Sequence, residues 1–233
     1  MRTSGQVSTP PGLTQGSTTS QKQFMDGRVK PGQGDLWFLM ILTPICADDL
    51  NEALDRFAAR LGEPAARTAF SMIRATSPKR ATGRAAERDW CAALDLARRH
   101  GVAVHPTGTY RAFNWDGAAL DGDTEAYVIL HEVAHYVLAP AERRKLPDFG
   151  LGPGPDTLDR ASAEQAVALP VQEREADEAM ASLLGIFWEA ELGQPALASF
   201  LDQNWLEGLE RSAASHFTAV LSALIDRKLW SVP

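Results

Sequence analysis

The sequence predicts an α+β domain that is mainly helical, and three observations carry that expectation. Most of the chain repeats apolar residues at helical spacing, as in Leu50, Leu54, Phe57 and Leu61. Gly and Pro stand at the ends of these stretches, where they stop helices. Extended character is confined to two short runs, Val102 to His105 and Thr109 to Trp115, around a Pro-Thr-Gly turn.

The elements follow in order. The first 34 residues are rich in Ser, Thr, Gln, Gly and Pro and contain no apolar stretch of the kind a secretory signal needs. They are expected to form a disordered arm, with residues 35–233 as a single metal-binding catalytic domain. Arg2, Lys22, Arg28 and Lys30 against Asp26 would suit docking to a partner or a solvated tail. Leu36 to Ile45 is too short to span a bilayer, is broken by Pro44, and is expected in the core. Helices are expected from Asp48 to Gly62, from Ala65 to Ala75 and from Ala85 to His100, with a basic connector from Pro78 to Gly83 between the last two. The two extended runs then suggest a hairpin or small sheet. A nearly all-apolar helix follows from Asp123 to Ala139, capped by Asp123 or Thr124 and stopped by Pro140. After a Pro- and Gly-rich linker, a helix should begin near Pro170 and run to about Gly193, and further helices should fill Pro195 to Leu229.

Composition narrows the functional classes. The 233 residues carry a formal charge of -7 and a sequence pI near 5.3, which opposes the positive surface that nucleic acid requires. No membrane span is expected. Cys46 and Cys91 are isolated from each other and from any C-x-x-C pattern, so neither a disulfide framework nor a thiolate metal site is indicated, and a reducing cytoplasm fits.

The chemistry concentrates in His131-Glu132-Val133-Ala134-His135, an H-E-x-x-H motif inside the apolar helix. The i, i+4 spacing puts both imidazoles on one face, where they can share a metal ion. Two core histidines beside an internal carboxylate are the plain alternative, but burying all three without a partner is costly. Glu173-Arg174-Glu175-Ala176-Asp177 offers the third ligand. Glu173 and Asp177 lie one turn apart, so Glu173 can bind the metal while Asp177 orients an imidazole. Glu175 is a reserve ligand, and an acidic first turn stabilising the helix dipole is the bland reading of the whole stretch. With zinc, Glu132 would act as general base for a metal-bound water. With iron(II), the same triad leaves positions for dioxygen and a cosubstrate. Either way one divalent transition metal is expected.

The continuation of the motif from His135 through Tyr136, Pro140, Arg143, Arg144 and Lys145 to Asp148-Phe149-Gly150 resembles the elongation factor P hydroxylase family. There an H-E-x-x-H-W-like segment precedes an Arg-Arg pair and Asp-Phe-Gly. Cys46 to Asn51 and Asn204-Trp205-Leu206-Glu207-Gly208 resemble two further segments of that family. The resemblance implies a non-haem iron hydroxylase acting on a protein or peptide side chain, such as a modified lysine of a translation factor, with His131, His135 and Glu173 as ligands. The sequence departs from the family at Tyr136, where Trp is usual, in Gly150 to Gly154, and in a long insertion, which points to a different substrate. Tyr136, Arg143 and Arg144 would line the substrate pocket, or else pack and be solvated.

Glu173 to Asp177 also resembles the E-x-x-A-D helix of gluzincin peptidases, which implies a zinc metallopeptidase with Glu132 as general base. The fold expectation is accordingly zincin-like, with a small β element and the motif on a buried helix. A non-catalytic binding protein would close a four-ligand site, with His105 as the obvious fourth donor. His100 reads as a helix C-terminal residue and His216 as part of the terminal helix.

Overall fold

A computed structural model describes residues 48–108, 110–206 and 213–233. The expected arm, the apolar run from Leu36 to Ile45, Cys46 and the far end of the Asn204 to Gly208 segment lie outside the described residues. The described part is mainly helical: α1 (Leu50–Arg60), α2 (Pro64–Arg74), α3 (Arg84–Arg99), α4 (Ala126–Leu138), α5 (Arg160–Gln165), α6 (Val171–Glu191), α7 (Ala196–Asp202) and α8 (Ala213–Asp226). No described helix is long and apolar enough to cross a membrane.

Each helix has local reasons to begin and end where it does. Pro64 opens α2 at a position whose N–H needs no partner. Gly101, at φ 72, stops α3 in a left-handed conformation that glycine adopts without steric cost. α4 begins three residues later than the sequence suggests, because Glu125 is its N-cap while Asp123 turns away to accept from Gly108 N. The 21 residues of α6 start directly after Pro170; the first two turns are largely exposed apart from Asp177, and Met180 to Glu189 are buried on all sides.

The expected hairpin does not form between the two extended runs. Val104 instead bridges Leu120 in parallel and Trp115 bridges Leu120 antiparallel, with His105 N donating to Leu120 O and Leu120 N to Ala103 O. These two bridges are the whole β content of the described residues. Asp116 accepts from Ala118 N and Ala119 N, a turn that carries the chain from Trp115 back to Leu120.

The core is one cluster. Phe57, Phe70, Phe200 and Phe217 pack edge to face or tilted between α1, α2, α7 and α8, and Phe187 of α6 stacks on Trp230. α4 lies against α6 on one side and α3 on the other. Its Ile129, Leu130, Val133 and Ala134 are fully buried.

α4 and α6 pack unusually closely at Gly185. A Cβ there would sit 3.3 Å from both the backbone N and the Cα of His131. Gly185, Ala181 and Glu178 follow at i, i−4 and i−7, one stripe along α6. Two small residues therefore let the backbones approach, and the stripe ends on a carboxylate.

A candidate metal centre

α4 carries residues 131–135 in its last two turns. The two imidazoles stand edge to face, ring centres 4.6 Å apart, with His131 Nε2 and His135 Nε2 separated by 3.0 Å. Glu178 completes the group: Oε1 lies 3.1 Å from His131 Nε2 and Oε2 lies 3.1 Å from His135 Nε2. Among the described residues, His131, His135 and Glu178 form the set able to hold a metal ion.

The structure brings Glu178, and not the expected Glu173, beside the two imidazoles. Glu173 lies exposed in the first turn of α6, and the reserve candidate Glu175 is exposed as well. Around the helix both stand about 100° from the Ala181–Gly185 stripe, whereas Glu178 stands about 40° from it and extends it. Asp177 lies against the His135 ring. His135 Nδ1 donates to Asp177 Oδ2 at 3.4 Å, so adjacent residues of α6 bracket one ring, Glu178 at Nε2 and Asp177 at Nδ1.

The two arginines are not free cations lining a pocket. Arg143 is buried, and its Nη2 donates to Asp177 Oδ1 at 2.8 Å. Arg144 Nε donates to Ala139 O, its guanidinium lies 4.3 Å above the Tyr136 ring, and its carbonyl accepts from Trp115 Nε1. Tyr136 packs edge-on to Trp115. Lys145 pairs at the surface with Glu142. His105, the imagined fourth donor, binds Asp116 Oδ2 at 2.6 Å and stands apart from the cluster. His100 caps α3 and packs on Trp188, and His216 stacks on Trp205.

Two features went unread in the sequence. Asp148 and Phe149 are both left-handed, at φ 44 and φ 52, a conformation that costs each residue on the order of 1–2 kcal/mol. The kink stacks Phe149 between His135 and Trp115. It also turns Asp148 inward, where Thr157 Oγ1 donates to its Oδ2 at 2.6 Å. Asn114 Nδ2 stands 3.4 Å from Glu132 Oε1. The consecutive left-handed pair has no sequence signal, since neither residue is glycine.

The electrostatics fit a divalent cation. Glu132, Asp177 and Glu178 converge on the two imidazoles with Arg143 as the compensating cation, and three carboxylates against one guanidinium leave two negative charges. Protons hold the balance in this structure. Burial alone would lower His135, but Glu178 and Asp177 push it up to about 10. Burial pushes Glu132 up despite both imidazoles, and burial together with Glu132 pushes Asp148 up to about 6 against the Thr157 hydroxyl. Glu178 is the opposite case. Desolvation opposes its ionisation, yet His131 and His135 hold it well below the usual carboxylate range. Asp177 is likewise held down by His135 and Arg143 against burial.

The spacing is compatible with a bound ion. Two nitrogens 3.0 Å apart, each about 2.1 Å from an ion, subtend about 90° at it, while a tetrahedral centre separates them by about 3.4 Å. The set therefore suits one face of a six-coordinate ion as well as it suits a shared proton. Glu178 keeps 53% of its side-chain surface open, so the group meets solvent on the Glu178 side.

Comparison of the chain with protein-family models, with curated proteins and with solved structures finds no match.

Proposed function

We propose that this chain is a metal-dependent hydroxylase that holds one divalent transition metal, iron(II) in preference to zinc, on His131, His135 and Glu178, and that acts on a side chain of a protein or peptide. The observation that supports this reading is the convergence of the segment after the motif upon the cluster. Arg143 pins Asp177, and Phe149 covers His135. These residues belong to the string that resembles the elongation factor P hydroxylase family, so the string is read as site architecture. Exposed Cys91, a free thiol, suits the reducing cytoplasm in which ferrous iron persists.

Bound iron(II) would supply open positions for dioxygen and a cosubstrate; one oxygen atom would enter the C–H bond of the substrate, and two electrons from that reducing cosubstrate with two protons would take the other to water. The chain's own residues do the rest. Asp177 accepts a hydrogen bond from His135 Nδ1 and so leaves the Nε2 lone pair facing the cluster. Arg143 keeps Asp177 ionised for that task. Phe149 and Trp115 form a wall that excludes water from one side of His135. Glu132, half-buried beside the cluster, can accept or return a proton at its carboxylate.

That last residue also favours a second reading. A half-buried Glu one position after a candidate ligand His, with its basicity raised, suits a zinc peptidase in which Glu132 takes the proton of an attacking water. Anaerobic purification, metal analysis and parallel assays of oxygen uptake and peptide cleavage separate the two. Stoichiometric iron with oxygen consumption supports the hydroxylase. Zinc with proteolysis abolished by Glu132→Gln replaces it with the peptidase.

A further inference from the structure

His135 is 2% exposed, yet its edge is held loosely, because the bond from Nδ1 to Asp177 Oδ2 spans 3.4 Å. The torsion that turns an imidazole about its Cβ has broad intrinsic minima, so the neighbours of the ring decide where Nε2 aims. On its face that neighbour is Phe149, with ring centres 5.6 Å apart at 27°. Trp115 backs Phe149 in turn, at 5.1 Å and 8°. Phe149 reaches this place through two successive left-handed residues, itself and Asp148, a conformation that persists only where the surroundings over-determine it. Asp148 is bound at three points. Its N donates to Trp115 O at 2.9 Å, its O accepts from Leu151 N at 2.9 Å, and its Oδ2 accepts from Thr157 Oγ1 at 2.6 Å. Thr157 is buried, and its hydroxyl accepts from Gly154 N at 2.8 Å, so its one proton is committed to Asp148.

We propose that Thr157 and Asp148 are positioning residues for His135: their hydroxyl–carboxylate bond locks the left-handed kink, the kink sets Phe149 against the imidazole, and Phe149 keeps Nε2 aimed at His131 and Glu178. The inference rests on the reading of His131, His135 and Glu178 as a metal donor set, and holds for either metal and either reaction. One of its two readouts needs no metal.

The test uses the full chain with and without zinc. Thr157→Val keeps the outline of the side chain and removes the hydroxyl, and Thr157→Ser keeps the hydroxyl. Asp148→Gly and Asp148→Asn lose the same charge and both suit a left-handed backbone, but only Asn keeps an acceptor for Thr157. Zinc affinity, read by competition with a chromophoric chelator, is expected to fall about tenfold in Thr157→Val and to stay near the parent value in Thr157→Ser. Asp148→Gly should bind zinc more weakly than Asp148→Asn. In the metal-free protein, the ring-proton resonances of His135, which sense the face of Phe149, should move in Thr157→Val and not in Thr157→Ser. Thr157→Val that binds zinc like the parent with unmoved His135 resonances, or Asp148→Gly equal to Asp148→Asn, overturns the proposal. A parent that binds neither zinc nor iron(II), but whose His135 resonances move in Thr157→Val alone, removes the metal reading and leaves the positioning of His135 standing.

Discussion

Replacing Gly185 tests whether the packing of α6 on α4 sets the metal site. An alanine Cβ would sit 3.3 Å from His131 Cα and His131 N, and 3.5 Å from Leu130 C. These are backbone atoms and cannot rotate away, so the helices must separate by a few tenths of an ångström. Alanine in place of glycine inside a helix gains about 1 kcal/mol. Overpacking costs about 1–3 kcal/mol. For Gly185→Ala the two nearly cancel, and the midpoint of thermal unfolding of the metal-free protein should move by only a few degrees. The displacement does not cancel, because it widens the 3.1 Å contacts between Glu178 and both imidazoles. Ligand distances tolerate a change of about 0.2 Å. Metal affinity, measured by competition with a chromophoric chelator, should therefore fall about tenfold. Gly185→Val adds two more methyl groups and should lose both stability and metal. A Gly185→Val protein that binds metal like the parent would refute the argument that this contact sets the donor spacing.

Three further outcomes are expected. Asp177→Asn keeps the shape but removes the charge that holds His135 Nδ1, and should weaken metal binding about 10–100-fold with an unchanged circular dichroism spectrum. Arg143→Met leaves Asp177 buried without its cation and should destabilise the protein by about 3–5 kcal/mol in urea unfolding, well beyond the effect of Lys145→Met at the surface. His135 titrates at about 10 in the folded protein, above the ordinary value near 6.5 of the unfolded chain, so its contribution is fully present below about pH 6.5 and is lost as pH rises through 10. Metal-free protein should accordingly lose stability between those limits. Metal binding must displace that proton, and so should tighten by up to about tenfold per pH unit in the same window; a pH-independent affinity would contradict it.

How much of this was legible in the sequence depends on distance along the chain. The i, i+4 histidines needed one helix only, and the apolar run around them made that helix plain. Helices α1 to α3 were readable within one or two residues from their Pro and Gly stops. The third ligand was not, because it depends on the register between two helices far apart in the chain, α4 ending at Leu138 and α6 beginning at Val171. Glu173, Glu175, Asp177 and Glu178 all fall in the first turns of α6, and local geometry makes Glu173 and Asp177 an attractive pair. The register is set by Gly185 against His131, and the small residues Ala181 and Gly185 below Glu178 were the available signal. The hairpin failed for a related reason. Leu120, a fully buried residue, pairs with both Val104 and Trp115 and draws the two runs onto itself instead of onto each other. Arg143 looked like part of a solvated charge run because its partner Asp177 is 34 residues away.

The central claim is that Glu178, and not Glu173, completes the donor set with His131 and His135. The direct measurement is stoichiometric metal content by mass spectrometry for Glu178→Gln and Glu173→Gln, each reconstituted with iron(II) and with zinc beside the parent protein. Parent and Glu173→Gln should retain one equivalent while Glu178→Gln loses it. Full metal in Glu178→Gln, or loss confined to Glu173→Gln, would contradict the account.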